Sequence, residues 1–254
     1  MITVEFLESG VREDFPDAPA FIDLVKQRNG SALRISGNIA RLDLRGLDLS
    51  GCDLQNTYMK DADLSGTSLA GANLQDAAMS GVILEGADLS GAVLRRAGVG
   101  WSHCAGAEFQ RADLSYATFY GADLEGAGFV QAEMVFCNLN GARMTGASFA
   151  GAHMDGAAAG WGIFSGARMD GASMRGMALW CTVLRRADLR GANLTAARMD
   201  AADLVRAHLE DAVIEGADMR NVLVTPEDMA GAIGTPKVPP PVMPPTGMQG
   251  HGVD

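Results

Sequence analysis

No uninterrupted apolar stretch in this chain approaches the ~18 residues that a membrane-spanning helix needs, and no charged-then-apolar leader opens it. The expectation is a soluble, cytoplasmic protein with no membrane partner. Positive charge is also short. The formal net charge is −11, which argues against direct binding to nucleic acid through its phosphates. Histidine occurs only at His103, His153, His208 and His251, and no Cys–His spacing resembles a zinc site. No glycine-rich phosphate loop precedes a helix, and the serines lack a base partner. No catalytic residue, metal ligand or cofactor site is therefore expected, and the chain reads as a non-enzyme.

What the chain does have is a period. From Leu42 to Val224 an apolar residue recurs at every fifth position through 37 consecutive units, running Leu44, Leu49, Leu54, Met59 and on to Met219 and Val224. Five matches neither the helical nor the strand period, and a fixed short period held over a long run signals a solenoid. With the recurring residue called i, the i set holds 18 Leu, 9 Met and 5 Phe, and position i−2 is Ala in 25 of the 37 units. Residues two apart on an extended chain face the same way. The i and i−2 side is thus buried, and the polar or glycine side is solvated. Gly fills 19 of the 37 positions at i+2, where a tight turn favours free φ.

The units Ala-Asn-Leu-Gln-Asp (72–76), Ala-Asp-Leu-Ser-Gly (87–91), Ala-Asp-Leu-Glu-Gly (122–126) and Ala-Asn-Leu-Thr-Ala (192–196) resemble the pentapeptide-repeat family. The resemblance implies an all-β solenoid: a right-handed parallel β-helix of square cross-section, about nine coils of four pentapeptides each. Residues 20 apart would then stack, about one strand spacing (~4.8 Å) from each other. One interior column would hold Phe109, Phe129 and Phe149 in succession, and another Met134, Met154 and Met174. Ala159, where a large residue is usual, and Met177, where Ala is usual, would share a face in successive coils, the second filling the space left by the first. Cys52, Cys104 and Cys137 would point inward and Cys181 would sit at a corner, none above another, so disulfides are not expected.

The ends break the pattern. Residues 1–38 read as a small α/β cap, with a strand suggested by the alternation of Ile2, Val4 and Phe6 and a helix from Pro19 to Arg28 stopped by Gly30. The β-helix is placed at 39–224. Thr225-Pro226-Glu227-Asp228 has the form of a helix start, giving a short C-terminal helix over 225–234, and residues 235–254 read as a disordered proline-rich tail.

Two surface features bear on function. Trp101 and Trp161 fall in one outward column, Tyr120 and Trp180 in the adjacent column of the same corner, and Tyr116 and Phe136 on the far edge of the same face. Gly100 and Gly160 precede the two tryptophans and would clear room for them. Such rings either dock a partner or merely cover the corner and its glycines. The docking reading makes the protein a scaffold that binds another protein, or a second copy of itself as a homodimer, through an aromatic face. The second feature is charge: residues 43–135 carry 13 acids against 5 bases, residues 136–224 carry 9 of each, and Asp88 would stack on Glu108 and Asp113 on Glu133. The resemblance gives this a meaning, because some family members mimic DNA and bind DNA gyrase or topoisomerase IV. The alternative reading is a modulator of such a type II topoisomerase, carried by Asp88, Glu108, Asp113 and Glu133. Against it, short Asp and Asn side chains at the 13 of 37 i−1 positions that hold them can simply bond the adjacent turn.

Overall fold

The pentapeptide turns a corner for a backbone reason. The carbonyl of nearly every i residue accepts a bond from the N–H three residues on, as Leu69 does from Ala72 at 2.9 Å, and the intervening i+2 residue has positive φ. That combination defines a type II turn. In this computed structural model, which describes residues 2–15, 17–28 and 33–241, every i+2 position from Arg41 to Asn221 has φ between 53° and 71°. Between corners, the i−1 residues from Asp43 to Asp203 each bridge in parallel to the residue 20 further on, as in Asp43↔Asp63↔Ile83↔His103. The result is a four-sided parallel β-helix.

Its faces are numbered here by their inward residues. Face 1 begins at Leu44, face 2 at Leu49, face 3 at Leu54 and face 4 at Ile39. The interior is one continuous apolar core from Ile39 to Val224. Phe109, Phe129 and Phe149 stack on face 2 at centroid distances of 4.9 and 4.8 Å with planes within 2° of parallel. Hydroxyls at i−2 are reconciled with the core by bonding back to the coil before. Thr57, Thr67, Ser102 and Thr182 are buried, and donate to the carbonyls of Ile35, Leu44, Met79 and Ala159.

Strands β1 (Ile2–Phe6), β2 (Val11–Phe15) and β3 (Leu33–Gly37) form an antiparallel sheet in the order β2-β1-β3, with helix α1 (Ala18–Arg28) inserted before β3. Asp17 caps α1 through the Ala20 N–H at 3.1 Å, and Phe21 and Val25 bury its apolar stripe. The outer edge of β3 is also the first rung of face 3. Ile35 N–H donates to the Asp53 carbonyl, and Asp53 N–H donates to the Leu33 carbonyl, both at 2.8 Å. One strand therefore pairs antiparallel on one side and parallel on the other, so cap and rod share a sheet. The expected stop at Gly30 lies outside the described residues.

The C-terminal end departs from the sequence reading, because residues 225–234 do not form a helix. The start signal operates locally: Thr225 and Asp228 bond each other's backbone N–H at 3.1 and 3.2 Å, and Met229 N–H reaches the Thr225 carbonyl. The chain then turns at Gly231, with φ 83°, and rejoins the rod. Ile233 bonds Ala212 and Ile214, Thr235 accepts from Gly216, and Val238 bridges to Asp218. The last full coil offers an open edge of N–H and C=O groups, and pairing that edge outweighs lengthening one helical turn. Residues 235–238 thus extend the rod instead of belonging to a tail. The disorder expected further on falls mostly on residues 242–254, outside the described residues. Among the described residues no helix is long and apolar enough to cross a membrane.

Candidate interaction face

All the sequence-predicted aromatic residues gather on face 4 and its two edges. At the edge with face 1, Trp101 meets Tyr120 edge-on at 5.1 Å, and three coils further along Trp161 meets Trp180 edge-on at 3.9 Å. At the edge with face 3, Tyr116 and Phe136 stack at 5.4 Å. Between these edges the outward column reads Gly98, Thr118, Asn138, Ala158 and Ala178, each bridged to the next. The face is a flat floor of small uncharged residues between two aromatic rails. Over these five coils the corner with face 1 has no charge at all, being built of Gly100, Trp101, Tyr120, Gly121, Asn140, Gly141, Gly160, Trp161, Trp180 and Cys181.

The backbone under four of these rings is unexpected. Trp101, Tyr116, Phe136 and Trp161 occupy i+2 corners with φ of 60°, 62°, 56° and 55°, where 19 of the 37 corners use Gly. A bulky residue in the left-handed region costs about 1–2 kcal/mol. All four rings remain largely exposed, at 62, 54, 56 and 63% respectively. The same left-handed conformation recurs at fourteen further non-glycine corners, so what sets these four apart is the size and exposure of their rings. The signal was present in the sequence, since these aromatics fall in the glycine columns.

Glycines do seat some of the rings. A Cβ on Gly121 would strike the Trp101 ring at 2.7 Å, one on Gly160 would strike Trp180, and one on Gly156 would strike Phe136. Gly160 thus makes room as the sequence suggests, but for Trp180 and not for its neighbour Trp161. The expectation for Gly100 is not met: its Cβ would face only the Tyr120 carbonyl, at 3.3 Å, and Trp101 rests instead on Gly121.

The acidic candidates stack in the expected register, Asp88 on Glu108 and Asp113 on Glu133, but all four carboxylates are engaged by their surroundings. Asp88 accepts from the Ser90 N–H at 2.9 Å, and Glu108 lies over Gly128 and bonds Gln110. Glu133 meets His153 at 2.9 Å. Asp113 accepts from Ser115 N–H and from Arg95, and against the upward pull of burial these bonds hold its carboxyl below the ordinary range. All thirteen Asp and Asn residues at i−1 accept from the N–H two residues on, from Asp43 with Arg45 to Asp218 with Arg220. Turn chemistry therefore accounts for the whole set.

Among the described residues no three of His, Cys, Asp and Glu converge on a point that could hold a metal ion. Burial pushes the Cys52 thiol up to about 12 and raises those of Cys104 and Cys137 further, whereas Cys181 is exposed beside the tryptophans. Titration with a thiol reagent is expected to modify Cys181 alone in the native protein and the other three only after unfolding.

A family model described as pentapeptide repeats matches eight copies, over residues 57–96, 100–129, 132–176 and 187–223. Among solved structures, that of HetL, a pentapeptide repeat protein involved in heterocyst differentiation regulation from the cyanobacterium Nostoc, is similar with a TM-score of 0.80. It is 24% identical, and the match covers 87% of this chain and 98% of that one. Full-length QnrB1, a plasmid-mediated fluoroquinolone resistance protein, is similar with a TM-score of 0.58 at 18% identity, covering 80% of this chain and 93% of that one. Both likenesses are of fold. A comparison with curated proteins finds no match.

Proposed function

The chain belongs to the pentapeptide-repeat family, and on that premise we propose that it is a non-enzymatic scaffold that binds a partner protein through the aromatic rails of face 4. The observation that carries this reading is the set of four largely exposed aromatic residues at the corners of one face, since the other non-glycine corners, apart from the exposed Cys181, hold polar, charged or small residues. Trp and Tyr are the side chains that most often dominate binding energy at protein interfaces. A rod pinned by coil-to-coil bonds on every face holds the rings in place before binding, so little conformational freedom is lost. The partner surface that suits an uncharged floor is apolar and uncharged, with an affinity that depends weakly on salt.

The test combines Trp161→Gly with Trp180→Ala. Retention of partner protein in a pull-down from native lysate, or self-association by size exclusion, is expected to weaken by at least about 100-fold, as for the loss of two interface anchors. The thermal midpoint is expected to hold, because Gly relieves the left-handed strain at position 161. A lowered midpoint with binding retained would show that the rings only cover the rod.

The alternative is a DNA-mimicking modulator of a type II topoisomerase, supported by the acidic bias of residues 43–135 and by the fold shared with QnrB1. It requires the carboxylates and not the rings. Replacing Asp88, Glu108, Asp113 and Glu133 by their amides is expected to leave partner retention intact. A gyrase supercoiling assay that responds to the protein, loses that response with the amides and ignores the Trp changes would select the alternative.

A further inference from the structure

We propose that the partner on face 4 is a second copy of this chain, docked antiparallel about a two-fold axis that crosses the rod at Asn140–Gly141. This rests on reading the aromatic rails as the partner surface, and it names the partner.

The corner between faces 4 and 1 consists of two columns, to which each coil contributes one residue apiece. One column reads Gly100, Tyr120, Asn140, Gly160, Trp180. Its neighbour reads Trp101, Gly121, Gly141, Trp161, Cys181. Exchanging the columns and reversing the coil order maps Trp101 onto Trp180, Tyr120 onto Trp161 and Gly121 onto Gly160. The side chains follow the same relation. Trp101 is seated over Gly121 with Tyr120 at 80° to it, and Trp180 is seated over Gly160 with Trp161 at 80° to it. The two seated rings lean toward the central coil from opposite ends. The corner thus has an approximate two-fold relation of its own, centred on Asn140–Gly141.

A symmetric dimer needs a surface that complements itself. When two rods lie antiparallel with the axis between them, each column meets the same column of the copy in reverse coil order. Tyr120 then faces Gly160 of the copy, Trp161 faces Gly121, Trp180 faces Gly100 and Trp101 faces Cys181, so every ring is opposed by a small residue. Because Gly160 and Gly121 carry seated indoles, Tyr120 and Trp161 each meet a tryptophan of the copy, and aromatic pairs of this kind favour edge-to-face contact. The floor closes in the same register, Gly98 on Ala178, Thr118 on Ala158 and Asn138 on itself. No charge on the corner has to be stripped of water.

Asn140 lies on the axis. Its Oδ1 is buried and accepts no hydrogen bond among the described residues, while its Nδ2 gives one hydrogen to Asn138 Oδ1 at 2.8 Å. A bare buried acceptor is unfavourable. Turned toward the axis, the two amides donate to and accept from each other. A parallel pair on the same corner offers no such relief. It sets Asn140 against Gly141, whose N–H is already given to the Gly160 carbonyl at 2.9 Å.

The contact spans four coil spacings, ~19 Å, toward the small end of specific interfaces, so the dimer is expected to dissociate on dilution. Light scattering after size exclusion should give twice the chain's 26.5 kDa when concentrated and 26.5 kDa when dilute. Gly141→Asp places two carboxylates at the axis. A Cβ at Gly141 would meet nothing within 4 Å, and Asp61, Asp76 and Asp211 already hold this corner conformation, so the fold is kept. Self-association is expected to weaken by at least about 100-fold. Gly141→Arg, in the conformation of Arg96 and Arg111, should also fail alone and should pair when mixed with Gly141→Asp. Trp161→Gly with Trp180→Ala should leave only monomer. Orientation is read with a short bifunctional thiol reagent. It should join copies carrying Gly141→Cys and Cys181→Ser, and should leave the native chain unjoined, because two Cys181 residues lie ~19 Å apart along an antiparallel pair. Monomer alone at up to about 1 mM, a dimer indifferent to Gly141→Asp, or Cys181 joined to Cys181 would each overturn the proposal. Partner capture separates this claim from the one beneath it. A monomeric chain that retains a lysate protein, and loses it with Trp161→Gly and Trp180→Ala, keeps the partner surface and rejects the second copy.

Discussion

Phe129→Ala is expected to cost the rod about 3–5 kcal/mol, the largest loss from any single truncation in its core. The residue is fully buried at the midpoint of the face 2 column, with a ring stacked on either side at 4.9 and 4.8 Å. Phe119 on face 4 adds an edge contact at 6.5 Å. Removing the ring leaves a cavity between two parallel rings that cannot collapse, because their backbones are fixed by bonds such as Phe109 N–H to the Gly128 carbonyl. Aromatic coupling worth about 0.5–1.5 kcal/mol per pair is lost as well. Phe129→Leu keeps most of the volume, and neighbours such as Leu89 and Leu189 occupy the same column, so a cost below about 1.5 kcal/mol is expected. Urea titration followed by circular dichroism measures both. A Phe129→Ala midpoint close to that of the Leu variant would mean that the stack contributes shape and no stability.

Met177→Ala and Ala159→Leu are each expected to destabilise, and together to cancel. Both residues are fully buried on face 4 in successive coils, with the large and small side chains exchanged relative to the usual unit. Met177 has the flexible chain needed to fill the space beside Ala159. Truncating it should cost about 2–5 kcal/mol as a cavity. Enlarging Ala159 against an intact Met177 should cost about 1–3 kcal/mol by overpacking. The double variant restores the ordinary pairing of a large i and an Ala i−2, and is expected within about 1 kcal/mol of the parent. Costs that add instead would show that the two side chains do not share one space.

The repeat was legible because one backbone event recurs: a positive-φ corner every fifth residue forces the same inward pair each time. That regularity let the phenylalanine stack, the inward cysteines and the edge-sharing tryptophans be placed by counting. The ends were harder for a physical reason. Strand β2 is largely exposed, so it carries no apolar alternation and is specified only by pairing with β1. The 225–228 signal was sound over one turn, and failed beyond it because an open sheet edge is a non-local demand that local propensity does not register. On face 4 the columns were legible, while the seats were not. Which glycine receives which ring depends on side-chain direction along the rod, and spacing alone does not give that.

The shared strand β3 bears on how the chain reaches this shape. Almost every pairing in the rod joins residues 20 apart, and among the described residues β3 is the strand that hands a sheet from the cap to the first coil. A typical separation of 20 in a chain of 254 gives a relative contact order of about 0.08, in the range of helical bundles and well below that of sandwiches and barrels. As the polypeptide leaves the ribosome, β1 and β2 can close on β3 before any coil exists, and each further 20 residues find their template already in place. The cap is in this sense a starting block for vectorial growth, and the rod is an all-β protein assembled with the local economy of a helical one.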